Sequence, residues 1–139
     1  MISVTLPMTP PSPYDVATSP RYAQGGGDLM ANPVILVRDW RSTEAALLTA
    51  RADGTSPVLI TPEGAASFYG AGYLAALQAR AEREFPDIEF ELVVDCSDAP
   101  GHALACLRAG VKRISMSEPN DKIADIARQM GARLVRRPI

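Results

Sequence analysis

The chain has 139 residues, of which 47% are hydrophobic, 22% charged and 6% aromatic, and its formal net charge is −2. The apolar fraction excludes a wholly disordered chain, and 2 cysteines are too few for a disulfide-stapled scaffold. A slightly acidic balance lacks the electrostatic footprint of a general nucleic-acid binder, and no uncharged apolar run approaches the roughly 20 residues of a membrane span.

The first quarter of the sequence differs from the rest. Pro7, Pro10, Pro11, Pro13, Pro20 and Pro33 crowd it, and Gly25, Gly26 and Gly27 interrupt it. Such a segment buries too little apolar surface to offset its ordering entropy. Residues 1–32 are therefore expected to be a flexible tail and residues 33–139 a single α/β domain. Met30 offers an alternative translation start, and Tyr14 and Tyr22 would anchor the segment if it docked. The amino terminus lacks a leader's basic stretch and long apolar run, so the expected location is the cytoplasm.

Beyond the tail, strands and helices alternate. Residues 33–38 form a continuous apolar run, expected to be a strand buried on both faces. Ser42 or Thr43 can cap a helix that runs to about Ala52 and stops at Gly54. Residues 58–61 are the second strand. Pro62, Glu63 and Gly64 then turn into one long helix ending near Phe85, before Pro86. Residues 90–95 are the third strand. Asp98 is placed to cap the next helix, with Pro100 in its first turn and Gly110 as its stop. Residues 113–117 form a fourth strand whose alternation predicts half-exposure. Ser117 or Asn120 starts a helix with Ile123, Ile126, Ala127 and Met130 on one face. Residues 134–136 are a short fifth strand.

This alternation predicts a five-stranded parallel sheet with helices on both faces, in the flavodoxin-like order 2-1-3-4-5, with strands one and three central. The alternative is half of a β/α barrel, which would need a second copy to close.

Two regions carry functional expectations. The first is residues 64–79, which contain no charged side chain. Leu74 and Leu77 are core anchors, while Phe68, Gly72, Ala75 and Ala79 form a second stripe where a sheet-covering helix is normally charged. Either the tail or a neighbouring helix covers that stripe, or it is a homodimer interface.

The second is the carboxyl edge of the sheet, where parallel α/β folds bind ligands. It collects Asp39, Thr61, Glu63, Gly64, Asp95, Cys96, Ser97, Asp98, His102, Ser117, Glu118 and Arg137. Caps and turns favour the same residue types, so many of these also have a purely structural reading. Cys96 precedes a helix start and is a candidate nucleophile, with His102 its candidate activator and Asp95 and Asp39 further candidates. Thr61, Gly64, Asp98 and Ser117 are candidate ligand-binding residues, and the amides of Gly64, Ala65 and Ala66 can face an anion. The spacing of Cys96, His102 and Cys106 fits no zinc pattern, so neither a metal nor a cofactor is expected. Gly70 and Gly72 match a dinucleotide-binding pattern only on paper, because they fall inside a helix.

In order along the strand ends, Asp39, Asp95, Ser117 and the Arg137-Pro138 pair resemble the site residues of response-regulator receiver domains. Arg38 stands where that family has an acid, and Arg137 where it has a lysine. The resemblance implies a degenerate receiver that does not complete a metal-assisted phosphoryl site. The leading expectation is a small module acting through protein contacts, as a homodimer. Small-molecule binding or catalysis around Asp95, Cys96 and His102, or receiver-like signalling, are the alternatives. Nucleic acid and membrane are not expected partners.

Overall fold

A computed structural model describes residues 32–138. The expectations for a tail, for Tyr14 and Tyr22, and for a start at Met30 fall on residues outside that range. The elements are β1 (Val34–Leu36), α1 (Trp40–Asp53), β2 (Val58–Ile60), α2 (Ala65–Tyr69) and α3 (Ala71–Glu84). They continue with β3 (Glu91–Asp95), α4 (Pro100–Ala109), β4 (Arg113–Ser115), α5 (Asp121–Gln129) and β5 (Arg133–Val135).

The five strands form one parallel sheet, in the order β1-β2-β3-β4-β5. The α/β class and parallel sheet match the sequence expectation, and the order 2-1-3-4-5 does not. In a sequential order, every right-handed crossover steps the same way, so every helix lands on the same face. The packing agrees. Alternate strand residues Leu59, Leu92, Val94, Ile114 and Leu134 join one large core with Leu47, Ala66, Leu74, Leu107 and Ile123 from all five helices. The intervening residues Val58, Ile60, Val93 and Val135 form a second cluster to which no described helix contributes. Helices on both faces are therefore replaced by helices on one. The sequential order is that of a half β/α barrel.

β3 is central, with all five residues buried, as expected. β1 is an edge strand instead. Its continuous apolar run reads as doubly buried, yet Val34 and Leu36 are 46% and 41% exposed. β4 and β5 are better buried than their alternation implies, because Ser115 and Val135 are fully enclosed on the second face.

Local chemistry sets the helix ends. α1 begins three residues earlier than the first expected start, Thr43, because Asp39 is its N-cap in a capping box with Ser42. Gly54 and Gly110 end α1 and α4 in left-handed conformation, and Asn120 caps α5 through the Ile123 amide. α4 starts at Pro100 behind Ala99, so Asp98 is not its cap.

The expected long helix is two helices. Gly70 lies between them at φ 90° and ψ 149°, a region that only glycine occupies readily. The break restarts the helical register, and α3 then buries Leu74, Leu77, Gln78 and Ala81. Tyr73, next to Leu74 in the chain, is left 41% exposed. Gln78 serves a role its uncharged neighbourhood hides. Its amide donates to the Gly110 carbonyl at 2.9 Å and accepts from the Lys112 amide at 3.1 Å, so α3 clamps the entry to β4. A Cβ at Gly70 would meet open space, so Gly70→Ala costs backbone strain alone. Urea unfolding should show a loss of about 1–3 kcal/mol without loss of the folded baseline.

Candidate functional site

Asp95 ends β3 on the sheet's second face, and its side chain organises the carboxyl edge. One carboxylate oxygen accepts from the Gly64 amide at 2.7 Å and the Ser97 amide at 3.0 Å. The other accepts from the Ser115 hydroxyl at 2.8 Å. Its own amide donates to Thr61 Oγ1 at 3.0 Å. These bonds join the β2–α2 turn, the β3–α4 turn and β4 to one buried group. Gly64 takes the left-handed conformation the first turn needs, at φ 72°. Ser97 adopts φ 53°, the only positive φ of a non-glycine among the described residues.

The β2–α2 turn does present an amide to an anion, and the anion is the protein's own. Gly64 N–H is held by Asp95, and Ala65 N–H by the Pro62 carbonyl at 3.1 Å. They are not free for a ligand phosphate.

Beyond Asp95 the edge opens into a cavity of about 540 Å³, lined by Glu63, Asp95, Ser97, Met116, Ser117, Arg136 and Arg137. Arg137 follows β5, yet its guanidinium donates to the Thr61 carbonyl, at the end of β2, at 2.8 Å. In a flat sheet those strands would stand about 14 Å apart, at roughly 4.8 Å per strand. The chain after β5 and the long Arg137 side chain therefore lean over the ends of β3 and β4. Among the described residues Arg137 Nε is buried without a hydrogen-bond partner.

The expected site residues divide into two groups. Asp95, Ser97, Ser117, Glu63 and Arg137 meet at the cavity, while Thr61 and Gly64 support it through Asp95 and Arg137. Asp39, Cys96, Asp98 and His102 do not line it. Asp39 is the cap of α1, and the Ser42 amide and hydroxyl hold its carboxyl below the usual carboxylate range. β2 stands between β1 and β3, so Asp39 and Asp95 are not on neighbouring strands, as the receiver arrangement requires. His102 and Asp98 are exposed. Cys96 is buried in the helix-side core, where a hydrogen bond with Cys106 and burial push its thiol up, opposite to what a nucleophile needs. Among the described residues no three His, Cys, Asp or Glu side chains converge as a metal site would require.

Sequence reasoning missed Ser115, Met116 and Arg136. The first two sit within a strand and at its end, and only their register against β3 brings them to Asp95 and the cavity.

The stripe of Phe68, Gly72, Ala75 and Ala79 is divided by the Gly70 break. Phe68, Gly72 and Ala79 are exposed, whereas Ala75 is half-buried against the core. Phe68 is 60% exposed and stacks on Tyr69 at 4.8 Å, and Tyr69 meets Tyr73 at 5.4 Å. The aromatic row lies beside β1, with the Tyr73 hydroxyl donating to the Arg38 carbonyl at 3.3 Å.

Asp95→Ala should cost roughly 3–4 kcal/mol in chemical denaturation, since it strands two amides and a hydroxyl in a buried site. Ser115→Ala, which removes only one donor, should cost about 1–2 kcal/mol.

No protein-family model matches this chain, and no curated protein matches it in sequence.

Proposed function

We propose that this domain recognises a small, oxyanion-bearing molecule in the cavity at the carboxyl edge of its sheet. One observation carries the reading: the Arg137 guanidinium lines the cavity, is fixed over the strand ends by the Thr61 carbonyl, and has no carboxylate partner among the described residues. A guanidinium without a carboxylate partner still has donors to offer, and a carboxylate or phosphate oxygen is their natural complement. The cavity's volume is in the range of small-molecule sites. Strand ends are also where singly wound β/α folds carry their ligands, on turns that vary without disturbing the sheet.

The role is recognition. Cys96 and His102, the nucleophile and activator suggested by the sequence, lie away from the cavity and from its charged groups. Methyl phosphate at millimolar concentration should shift the amide resonances of Ser97 and Ser117 in nitrogen-labelled protein. Arg137→Met should abolish the shifts while leaving the remaining spectrum in place. Shifts that persist in Arg137→Met would defeat the reading.

The row of Phe68, Tyr69 and Tyr73 favours a second reading, self-association. Phe68 is the most exposed of the large apolar side chains, beside exposed Gly72 and Ala79. A symmetric pairing there would bury an aromatic cluster that a monomer leaves in water. Sedimentation at tens of micromolar should then give a dimer that Phe68→Asp dissociates. A dimer untouched by Phe68→Asp and lost in Leu36→Asp would place the contact at the β1 edge instead.

A further inference from the structure

We infer that the carboxyl-edge cavity selects an oxyanion with a hydrogen-bond donor, hydroxyl or ammonium, on a neighbouring carbon, and that Glu63 is the residue that reads the donor. The inference rests on the cavity reading above and adds the chemical class of the ligand.

The free polar groups lining the cavity carry the inference. Asp95 is already occupied, since its two oxygens take three donors from Gly64, Ser97 and Ser115. It holds the cavity's shape and has little accepting capacity left. Glu63 differs. It is exposed, lines the same cavity, and makes no hydrogen bond or ion pair within the described residues. The hydroxyls of Ser97 and Ser117 likewise have no partner among the described residues.

The cavity therefore offers several donors and one free anionic acceptor. Arg137 and Glu63 carry opposite charges in one cavity and form no ion pair. Arg137 is held back by the Thr61 carbonyl, and Glu63 projects from the turn that Asp95 fixes through Gly64.

A simple anion would satisfy Arg137 and the serines but would leave Glu63 without a donor. A molecule that places a donor next to its oxyanion satisfies both charges, with the oxyanion on Arg137 and the hydroxyl or ammonium on Glu63. α-Hydroxy acids, α-amino acids and polyol phosphates share this chemistry. A ligand lacking the donor leaves this exposed carboxylate to water, so the discrimination is that of one charge-assisted hydrogen bond.

Two matched series test the class by amide-shift titration of the full chain. Propionate, lactate and alanine share a skeleton and a carboxylate, and differ in carrying hydrogen, hydroxyl or ammonium beside it. Methyl phosphate and glycerol phosphate make the same comparison for a phosphate. The donor-bearing member of at least one series should bind about tenfold or more tightly than its plain partner, the factor expected of one charge-assisted hydrogen bond. The series that responds identifies the anion, and lactate against alanine identifies the donor. Glu63→Ala, at an exposed position, should remove the preference and leave the plain anion bound as well as before or better. Equal binding within both series, or a preference that survives Glu63→Ala, overturns the inference, while the cavity reading stands if every shift still depends on Arg137. If no probe shifts Ser97 or Ser117 in the folded protein, the inference and the cavity reading fall together.

Discussion

The carboxylate of Asp95 is the constraint on which the working edge of this protein depends. Parallel strands end in separate turns, and nothing in a sheet's own hydrogen bonding fixes one turn against the next. Here a single buried group accepts from Gly64 in one turn, from Ser97 in the next and from Ser115 in a neighbouring strand. Hydrogen bonds to an ionised acceptor are about twice as strong as neutral ones, and in a buried site they also hold geometry. The left-handed backbone of Ser97 is supported by the same network, since its amide bonds Asp95 and its carbonyl accepts from Ser117 at 2.8 Å. Loops that would otherwise vary independently become one rigid rim.

The strand order gives that rim its setting. A sheet whose order reverses part-way opens a crevice at the switch point and takes helices on both faces. The sequential order found here has no switch point. All five helices share one core, and the other face carries Val58, Ile60, Val93 and Val135 with Asp95 and Ser115 above them. The chain beyond β5 then returns Arg137 to Thr61 at the end of β2. The cavity forms between a rigid floor, set by Asp95, and this returning chain. The gathering of charge at the strand ends thus has two physical origins, one structural in Asp95 and Asp39 and one unsatisfied in Arg137 and Glu63.

Much of the fold was legible in the sequence because its causes are local. Gly54 and Gly110 stop helices through backbone conformation, Asn120 caps one through its side chain, and Pro100 fits a first turn that needs no amide hydrogen. Central β3 showed itself in the apolar run Leu92, Val93 and Val94. The same signal misled at β1, since an apolar run at a sheet edge looks identical to one at its centre. Gly70 was similarly opaque. Glycine is tolerated within a helix at modest cost, and only the packing of α3 against α4 and β4 decides that the chain turns there.

The candidate site follows the same division. The sequence by itself placed Glu63, Asp95, Ser97, Ser117 and Arg137 at strand ends, because strand and helix periodicity determine where each strand stops. It could not separate the acid that holds the rim from the acid that faces the cavity, nor could it set Cys96 in the core and His102 in solvent. Those distinctions depend on which strand lies beside which, and on which face each side chain takes. Tertiary structure decided them through the direction of the crossovers and the return of the chain after β5, which arise from contacts between segments dozens of residues apart and leave no trace in local periodicity.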